Sequence, residues 1–215
     1  MSRPIVAITQ RVDSFPDRDE LRDAVDQKLL NWIFEAGFLP VTLPNIYFSN
    51  DKAGPAGQSR GLELAIAAIC PVALLLSGGN DIGEFPARDA TEGFLLEWAQ
   101  TRRIPVLGIC RGLQMMAVAA GTALVPLEGH VGIRHNLNFA RLEENRPGGV
   151  NSFHNWGLAG CPDGYQVTAT AEDGSIEAIR HTDLPWEGWM WHPERETPLA
   201  EADTRNLQRL FNDAP

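Results

Sequence analysis

Residues 106–114 read VLGICRGLQ, and this stretch decides the fold because an apolar strand in it runs directly into a helix. Gly108 and Gly112 flank Cys110, and a very tight strand-to-helix turn requires residues without a Cβ atom at such positions. The pattern predicts a turn of the nucleophile-elbow type with Cys110 at its exposed apex. The start of the helix would place partial positive charge beside the Cys110 sulfur, and the Arg111 N–H would point to where an oxyanion forms. A buried structural cysteine is the alternative that this motif alone leaves open.

Upstream of this stretch, apolar strands alternate with helices. Strands are predicted at 5–9, 38–43, 72–76 and 105–109, and helices at 17–36, 60–70, 89–101 and 112–120. The helix at 89–101 carries Asp89 and Glu92 at the spacing of a capping box. Strands that are apolar throughout are typical of a parallel sheet covered by helices on both faces. The N-terminal half is therefore predicted to be α/β.

Downstream of Thr122 the helical periodicity gives way to short alternating runs joined by turn signals. Asp173-Gly174 lies between two strand-like pieces at 167–179 and predicts a hairpin. A strand at 187–191 and a closing helix at 199–211 follow. We predict one domain over 1–215, with a mostly parallel central sheet flanked by helices and an antiparallel extension in the C-terminal half. Residues 45–58 form the one loop long enough to be a lid or an insertion.

Composition excludes several classes of protein. The 215 residues carry a net charge of −10 and no basic stripe, so neither a nucleic acid nor a membrane surface is an expected partner. No stretch reaches the roughly 18 apolar residues of a transmembrane helix, and the N-terminus does not resemble a signal peptide. The three cysteines, at 70, 110 and 161, are too widely spaced for a disulfide framework or a zinc pattern. We expect a cytoplasmic protein with no metal and no organic cofactor.

A thiol nucleophile needs a base, and the base needs a group that orients it. His192 ends an apolar strand in the tripeptide His192-Pro193-Glu194. Proline keeps the residue before it extended, so the carboxylate of Glu194 can turn back toward the imidazole. We expect neutral His192 to take the proton of Cys110 and Glu194 to fix the tautomer of His192. Taken alone, His-Pro-Glu is a weak pattern, because a histidine at the end of a strand is more often a capped residue at the surface.

The third motif, SGGND at 77–81, follows the predicted strand 72–76. Ligands of open α/β sheets gather at the carboxyl ends of the strands. Paired glycines let backbone N–H groups approach a ligand closely, so Gly79 is predicted to supply a second oxyanion donor. A plain turn is the alternative. The loop is not a P-loop, because no Gly-Lys-Ser/Thr follows it.

Together these motifs resemble the class I (triad) glutamine amidotransferase-like superfamily, and within it the γ-glutamyl-γ-aminobutyrate hydrolase family of cysteine peptidases. The motifs that carry the resemblance are, in order, LLLSGGNDIG (74–83), IPVLGICRGLQ (104–114), VNSFHNW (150–156), DGSIEAI (173–179) and WMWHPE (189–194). They extend over nearly the whole chain. The resemblance implies the flavodoxin-like glutamine amidotransferase fold.

The resemblance also implies residue roles. The nucleophile, base and orienting group would be Cys110, His192 and Glu194, and the oxyanion donors would be the N–H groups of Gly79 and Arg111. The glutamyl end of a substrate would be held by Gln114 and by the Ser152-Phe153 backbone, with His154 either lining the same pocket or packed beneath it. The implied reaction is hydrolysis of a γ-glutamyl amide through a thioester.

The chain departs from the resembled family in two places that would shape the leaving-group pocket. The segment GEFPARD after the Gly-Gly loop is short, and His154-Asn155-Trp156 replaces a His-Gln sequence. The compact build resembles a short branch that acts on γ-glutamyl nucleotide amidates in surface-polysaccharide biosynthesis. His130, Arg134 and His135 are candidates to meet a phosphate on such a leaving group, with a solvated loop as the alternative.

Three functions remain open at this level. The first is a free-standing γ-glutamyl amide hydrolase that acts on a small molecule, as a monomer or a homodimer. The second is a glutaminase subunit that supplies ammonia to a separate synthetase partner. The third is a catalytically silent binding protein on the same fold, against which the intact set of Cys, His and Glu argues.

Overall fold

The computed structural model describes residues 3–45, 54–140 and 149–212. Within these ranges the strands are β1 Ile5–Thr9, β2 Arg11–Phe15, β3 Glu20–Ala24, β4 Leu39–Leu43, β5 Ala73–Leu76, β6 Val106–Ile109, β7 Leu124–Pro126, β8 Val131–His135, β9 Leu137–Phe139, β10 Val150–Phe153, β11 Trp156–Leu158, β12 Tyr165–Ala171, β13 Ile176–His181 and β14 Trp186–Trp189. The helices are α1 Gln27–Glu35, α2 Gly54–Ile69, α3 Pro86–Arg102, α4 Arg111–Ala119 and α5 Glu201–Asn212.

The central sheet has the strand order β4-β1-β5-β6-β14-β13-β12-β9. Pairing is parallel from β4 through β14. It is antiparallel from β14 through β13 and β12 to β9. This confirms the predicted fold class, a mostly parallel sheet with an antiparallel extension. Because β5, β6 and β14 are parallel neighbours, their carboxyl ends lie side by side at one edge.

Both faces of the parallel strands are apolar, as strands buried on both sides must be. Val6, Ile8 and Leu75 point to one face, where they share a core with α1 and α5. The alternate residues, including Leu74 and Leu76, point to the other face and pack with α2, α3 and α4. The strict alternation along each strand follows from the pleat. The sheet is thus held between two helical layers and fixes the positions of its strand ends.

The helix predicted at 17–36 is wrong in its first part. Strands β2 and β3 form an antiparallel hairpin there, and α1 begins only at Gln27. The Asp26 side chain caps α1 by accepting a hydrogen bond from the Lys28 N–H at 2.9 Å. Leu21, which supported the longer helix, is 66% exposed, so its spacing from Val25 did not reflect a common buried face.

The capping box predicted at the start of α3 is also wrong. The helix begins at Pro86, whose fixed φ suits the first helical position, and no side chain caps it. Asp89 and Glu92 therefore lie inside the helix and are available for other contacts.

The predictions for the C-terminal half are confirmed in outline. The hairpin of β12 and β13 turns at Asp173-Gly174, and a strand and a final helix follow it. The predicted loop at 45–58 is shortened by α2, which begins at Gly54, and its residues 46–53 lie outside the described part of the chain. A single domain over 1–215 stays a prediction.

Candidate active site

The elbow between β6 and α4 is sterically enforced. Cys110 has φ 50° and ψ −106°, a backbone conformation that side-chain-bearing residues rarely adopt. A Cβ atom on Gly112 would overlap the Leu76 carbonyl group, with the carbonyl carbon at 2.8 Å, and one on Gly108 would lie 2.6 Å from the Gly112 carbonyl carbon. The Cys110 N–H is held by the Trp189 carbonyl at 2.7 Å. The two glycines therefore allow α4 to start directly against β5.

Cys110, His192 and Glu194 lie together at this edge of the sheet, with exposed fractions of 6%, 3% and 5%. The prediction that Cys110 is exposed at the apex of the elbow is therefore wrong. The Nδ1 atom of His192 lies 2.7 Å from Glu194 Oε1, which leaves Nε2 for the Cys110 side. Gly78 approaches both groups so closely that a Cβ atom there would lie 2.8 Å from His192 Cε1 and 3.7 Å from Cys110 Cβ.

Electrostatics favour a protonated His192. Burial by itself would lower the pKa of His192, but hydrogen bonds with Cys110 and Glu194 raise it to about 9. The charged imidazolium is stabilised when both of its neighbours are acceptors or anions. The arrangement therefore places a charged imidazolium beside the Cys110 sulfur. Such a pair can attack a carbonyl carbon and later donate a proton.

The loop after β5 is oriented by Arg88 on α3. The buried guanidinium donates to the carbonyls of Ser77 at 2.7 Å and Gly78 at 3.1 Å, and also to that of Gly79. Because C=O and N–H of one trans peptide point in opposite directions, a Gly78 carbonyl bound to Arg88 turns the Gly79 N–H away from Arg88. Gly79 lines the cavity that contains Cys110. The role of Gly79 as an oxyanion donor stays a prediction.

The Arg88 guanidinium is itself held by a buried network. Glu92 accepts from Arg88 at 3.2 Å and from the Thr9 hydroxyl at 2.8 Å, and it pairs with Arg111 through its second oxygen. Arg111 also pairs with Asp89. Burial lowers the pKa of Arg88 to about 10 and that of Arg111 to about 9. Both arginines stay charged at neutral pH.

Sequence reasoning missed this network. The available signal was the spacing of four residues between Arg88 and Glu92, which places the two side chains on one face of a helix. The sequence pattern had instead predicted a capping box formed by Glu92 and Asp89. The first N–H groups of α4, that of Arg111 among them, have no acceptor within the helix, as the predicted oxyanion role requires.

Two cavities meet beside His192. One of about 180 Å³ is lined by Cys110, Arg111, Gln114, Gly79–Asp81, Phe153–Trp156, His192 and Arg195. The other, of about 290 Å³, is lined by Arg11, Asp13, Ala24–Asp26, Leu29, Ser77–Gly79, His192, Glu194 and Arg195. A substrate cleaved at Cys110 could therefore place its two halves on either side of His192.

The residues predicted to hold the glutamyl group are brought close to the nucleophile, but not all line the cavity. Gln114 lines it while its amide donates to the Trp156 carbonyl at 3.0 Å. Phe153 lines it with a ring 42% exposed. Ser152 is fully buried and donates to the His130 carbonyl at 2.6 Å. His154 lines the cavity, yet its Nε2 atom lies 3.3 Å from the buried carboxylate of Glu177.

The three residues proposed to meet a phosphate do not line either cavity. His130 and His135 contact the Glu177 carboxylate at 3.5 and 3.6 Å. Arg134 forms a salt bridge with Glu196 at 2.9 Å. Neither the phosphate hypothesis nor the solvated-loop alternative describes His130 and His135, because carboxylates surround two buried or nearly buried imidazoles.

A cysteine on an elbow, beside a His–Glu pair at the carboxyl edge of an open α/β sheet, is the arrangement of triad-type amidotransferases. The chain belongs to the family "Glutamine amidotransferase class-I", whose model matches residues 61–213. This confirms the resemblance drawn from the sequence. None of the described helices combines the length and hydropathy needed to cross a bilayer.

Two relatives of known name and one solved structure are similar to this chain. A γ-glutamyl-CDP-amidate hydrolase from Campylobacter jejuni is 35% identical over 133 residues, which cover 59% of this chain and 64% of that relative. A γ-glutamyl-γ-aminobutyrate hydrolase from Escherichia coli is 26% identical over 223 residues, which cover 90% and 87%. A solved structure of a GMP synthase subunit from Thermoplasma acidophilum matches with a TM-score of 0.71 and 18% identity, covering 99% of this chain and 96% of that one. Because the sequence identity is only 18%, the solved structure is evidence for the fold of this chain and not for its function. The aligned part spans less than two thirds of the Campylobacter relative.

Proposed function

We propose that this protein is a cysteine-dependent hydrolase that cleaves the γ-glutamyl amide bond of a small conjugate and releases glutamate. The observation that carries the proposal is the position of Cys110, strained at an elbow beside His192, whose other ring nitrogen is bound by Glu194. Two relatives bear the names of γ-glutamyl amide hydrolases, which supports this substrate class over other acyl groups.

In the proposed reaction, the Cys110 sulfur attacks the γ-carbonyl carbon while the His192 imidazolium holds the proton. The N–H groups of Gly79 and Arg111 bind the oxyanion of the tetrahedral intermediate. The intermediate collapses as the C–N bond breaks, and the leaving nitrogen takes the proton from His192. Water, deprotonated by His192, then attacks the thioester, releases glutamate and restores the thiol. Glu194 keeps the imidazole oriented throughout.

The two cavities suggest how the substrate lies. The glutamyl group would occupy the smaller cavity, which contains Cys110 and Gln114. Since the leaving nitrogen takes its proton from His192, the leaving group would extend into the larger cavity on the far side of His192.

The larger cavity contains two cations that a phosphate could use. Arg11 is half-exposed and paired with Asp13, and Arg195 is about one third exposed. Guanidinium groups bind phosphate oxygens in a bidentate manner. Together with the Campylobacter relative, this supports a γ-glutamyl nucleotide amidate as the substrate rather than a γ-glutamyl amine.

Glutamate release from a panel of substrates tests the proposal. The panel comprises glutamine, γ-glutamyl-γ-aminobutyrate, other γ-glutamyl amines and a γ-glutamyl nucleotide amidate. We expect the amidate to be preferred over glutamine, and Cys110→Ala to lose several orders of magnitude in kcat. Arg11→Ala, which changes a residue of the larger cavity only, should raise KM for the amidate and leave KM for glutamine unchanged. Preference for an amine conjugate would retain the hydrolase and reject the phosphate-bearing leaving group.

The second candidate is a glutaminase subunit of a separate synthetase, which the family description favours. Such a subunit would show weak glutaminase activity alone and strong stimulation by its partner. Turnover of glutamine alone, or of no substrate in the panel, would favour it over the hydrolase.

A further inference from the structure

A second group of polar side chains, not used by the proposed reaction, lies beneath the segment 150–154. The imidazoles of His130, His135 and His154 surround the carboxylate of Glu177, which is completely buried. Oxygen Oε1 of Glu177 lies 3.3 Å from His154 Nε2 and 3.5 Å from His130 Nδ1, and Oε2 lies 3.6 Å from His135 Nε2. We propose that this imidazole–carboxylate cluster binds one divalent transition-metal ion, for which zinc is the best fit.

The outward contacts of two imidazoles fix where their lone pairs point. His130 Nε2 lies 2.9 Å from Asp173 Oδ2, and His154 Nδ1 lies 3.0 Å from the Trp156 carbonyl oxygen. An acceptor at one ring nitrogen requires an N–H there, so in a neutral imidazole the other nitrogen carries a lone pair. The lone pairs of both rings are therefore directed toward the Glu177 side, where the ionised carboxylate supplies no proton.

The inward atoms lack hydrogen-bond partners. Among the described residues, His130 Nδ1, His135 Nε2, His154 Nε2 and both carboxylate oxygens of Glu177 are buried and unpartnered. Their mutual separations exceed the usual N–H···O distance of about 2.7–3.2 Å. Buried polar atoms in native proteins are nearly always satisfied, so these buried acceptors call for a cation or a proton donor among them. A cation would be bound by the inward atoms of His130, His154 and Glu177.

Geometry and charge favour zinc. The ligand atoms of His130, His154 and Glu177 all lie within 4.8 Å of one another. Zinc binds nitrogen and oxygen at about 2.0–2.2 Å, which puts neighbouring ligands of a tetrahedron about 3.4 Å apart. The separations of 3.3 and 3.5 Å match this value. A divalent ion would also balance the two negative charges of Glu177 and Asp173.

The contacts at Asp173 and Trp156 are those that ligating histidines make in metal sites, where a carboxylate or a backbone carbonyl orients the ring. All three ligand side chains are buried, so the ion would be structural. It would join β8, β13 and the end of β10. The His130 carbonyl accepts from the Ser152 hydroxyl at 2.6 Å and the His154 N–H at 3.2 Å, so the ion would brace the segment that borders the smaller cavity.

The test is zinc binding to the full chain after treatment with a chelator. The Cys110→Ala background removes the thiol beside His192 as a competing zinc site. Bound zinc is measured by elemental mass spectrometry and the melting temperature by circular dichroism. We expect about one equivalent of zinc per chain and a melting temperature that rises with zinc concentration, as a ligand of the folded state requires. Co²⁺ in place of zinc should give the visible absorption of a tetrahedral site.

Glu177→Gln should abolish stoichiometric binding. The matched control is Glu187→Gln, which removes another buried carboxylate from the neighbouring strand β14 and should keep the zinc. Asp173→Asn should weaken zinc binding about 10- to 100-fold through His130. Because the Asp173 side chain is 52% exposed, this variant is expected to fold and would carry the test if Glu177→Gln did not fold.

Absence of stoichiometric zinc from the Cys110→Ala protein would overturn the proposal, as would a melting temperature indifferent to zinc. Equal binding by Glu177→Gln and Glu187→Gln would do the same. Zinc content does not depend on catalytic turnover. The zinc proposal can therefore fail while the hydrolase proposal holds, and the hydrolase proposal can fail while the zinc proposal holds.

Discussion

The elbow around Cys110 and the loop at 77–80 lie at the carboxyl ends of adjacent strands, and both hold main chain at positive φ. Cys110 has φ 50° in the elbow, and Gly79 and Asn80 have φ 86° and 50° in the loop. The elbow is held by close contact between main-chain atoms at Gly108 and Gly112. The loop is held by hydrogen bonds from side chains on other elements. The molecule thus uses steric fit in one place and polar bonds in the other to hold main chain in a fixed orientation at the same edge of the sheet.

The sterically fixed elbow and the hydrogen-bonded loop should respond differently to mutation. Steric fit fails when a single methyl group is added, because main-chain atoms cannot move aside. A polar arrangement loses one hydrogen bond at a time, and each is worth about 0.5–1.5 kcal/mol. Substitutions in the elbow should therefore have larger effects than substitutions around the loop.

Gly112→Ala should have the largest effect. Its Cβ atom would overlap the Leu76 carbonyl group, so either α4 or β5 must shift and Cys110 loses its position. We expect about 3 kcal/mol of lost stability from overpacking and no measurable glutamate release. The control is Gly160→Ala, whose added Cβ atom meets nothing within 4 Å. A Gly112→Ala protein with wild-type activity would show that the elbow is not sterically fixed.

Arg88→Lys should have the next largest effect. Lysine keeps the charge but cannot donate to three successive carbonyls as the guanidinium fork does. The Gly79 N–H would lose its orientation while the substrate pockets remain. We expect kcat to fall about 10- to 100-fold, less than the loss of a whole oxyanion donor, with KM nearly unchanged. An increase confined to KM would assign Arg88 to substrate binding instead.

Glu194→Gln tests the positive charge on His192. This charge is a third feature of the site, beside the steric fit of the elbow and the hydrogen bonds of the 77–80 loop. Loss of the Glu194 carboxylate removes one of the two hydrogen bonds that raise the pKa of His192 to about 9. The basic limb of kcat/KM, which follows loss of the imidazolium, should lie near pH 9 in the wild type and at lower pH in the variant. Rates at neutral pH should fall about 10-fold. An unmoved basic limb would exclude Glu194 as the orienting group.

The same pKa predicts the sign of a stability change. A histidine whose folded-state pKa is raised stabilises the fold fully below its ordinary pKa of 6.5. That contribution is lost as the pH rises through about 9. The free energy of unfolding should therefore fall over this range by more in the wild type than in Glu194→Gln, as measured by urea titration at each pH.

Asn80→Ala should have the smallest effect. The Asn80 amide holds Val12 through two hydrogen bonds, of 2.7 Å from the Val12 N–H and 3.0 Å to its carbonyl. Arg88 would still hold the loop carbonyls. We expect a loss of about 1–2 kcal/mol in stability and a decrease of only a few-fold in kcat. Asn136→Ala, which removes a surface hydrogen bond to Glu172, is the matched control. If kcat fell more in Asn80→Ala than in Arg88→Lys, Asn80 and not Arg88 would be the more important support of the 77–80 loop.

The sequence predicted the parts of the site that are built from neighbours in the chain. The elbow was evident because its steric requirement falls on two glycines within a few residues of Cys110. The pairing of His192 with Glu194 was evident because the two residues are two apart. The hairpin at Asp173-Gly174 was read from its turn dipeptide, and the parallel sheet from strands that are apolar on both faces. The first part of the helix predicted at 17–36 was wrong, because the prediction relied on the spacing of Leu21, and periodicity alone does not reveal that this residue is exposed.

Only the tertiary structure decided the contacts between distant segments. Thr9 and Glu92 are 83 residues apart, yet they share a buried hydrogen bond that helps to hold Arg88 under the 77–80 loop. The imidazole–carboxylate cluster likewise draws its four members from separate strands and turns. The spacing of residues along the chain does not predict such contacts. They arise only when the sheet places strand ends side by side and water is excluded from the charged groups between them.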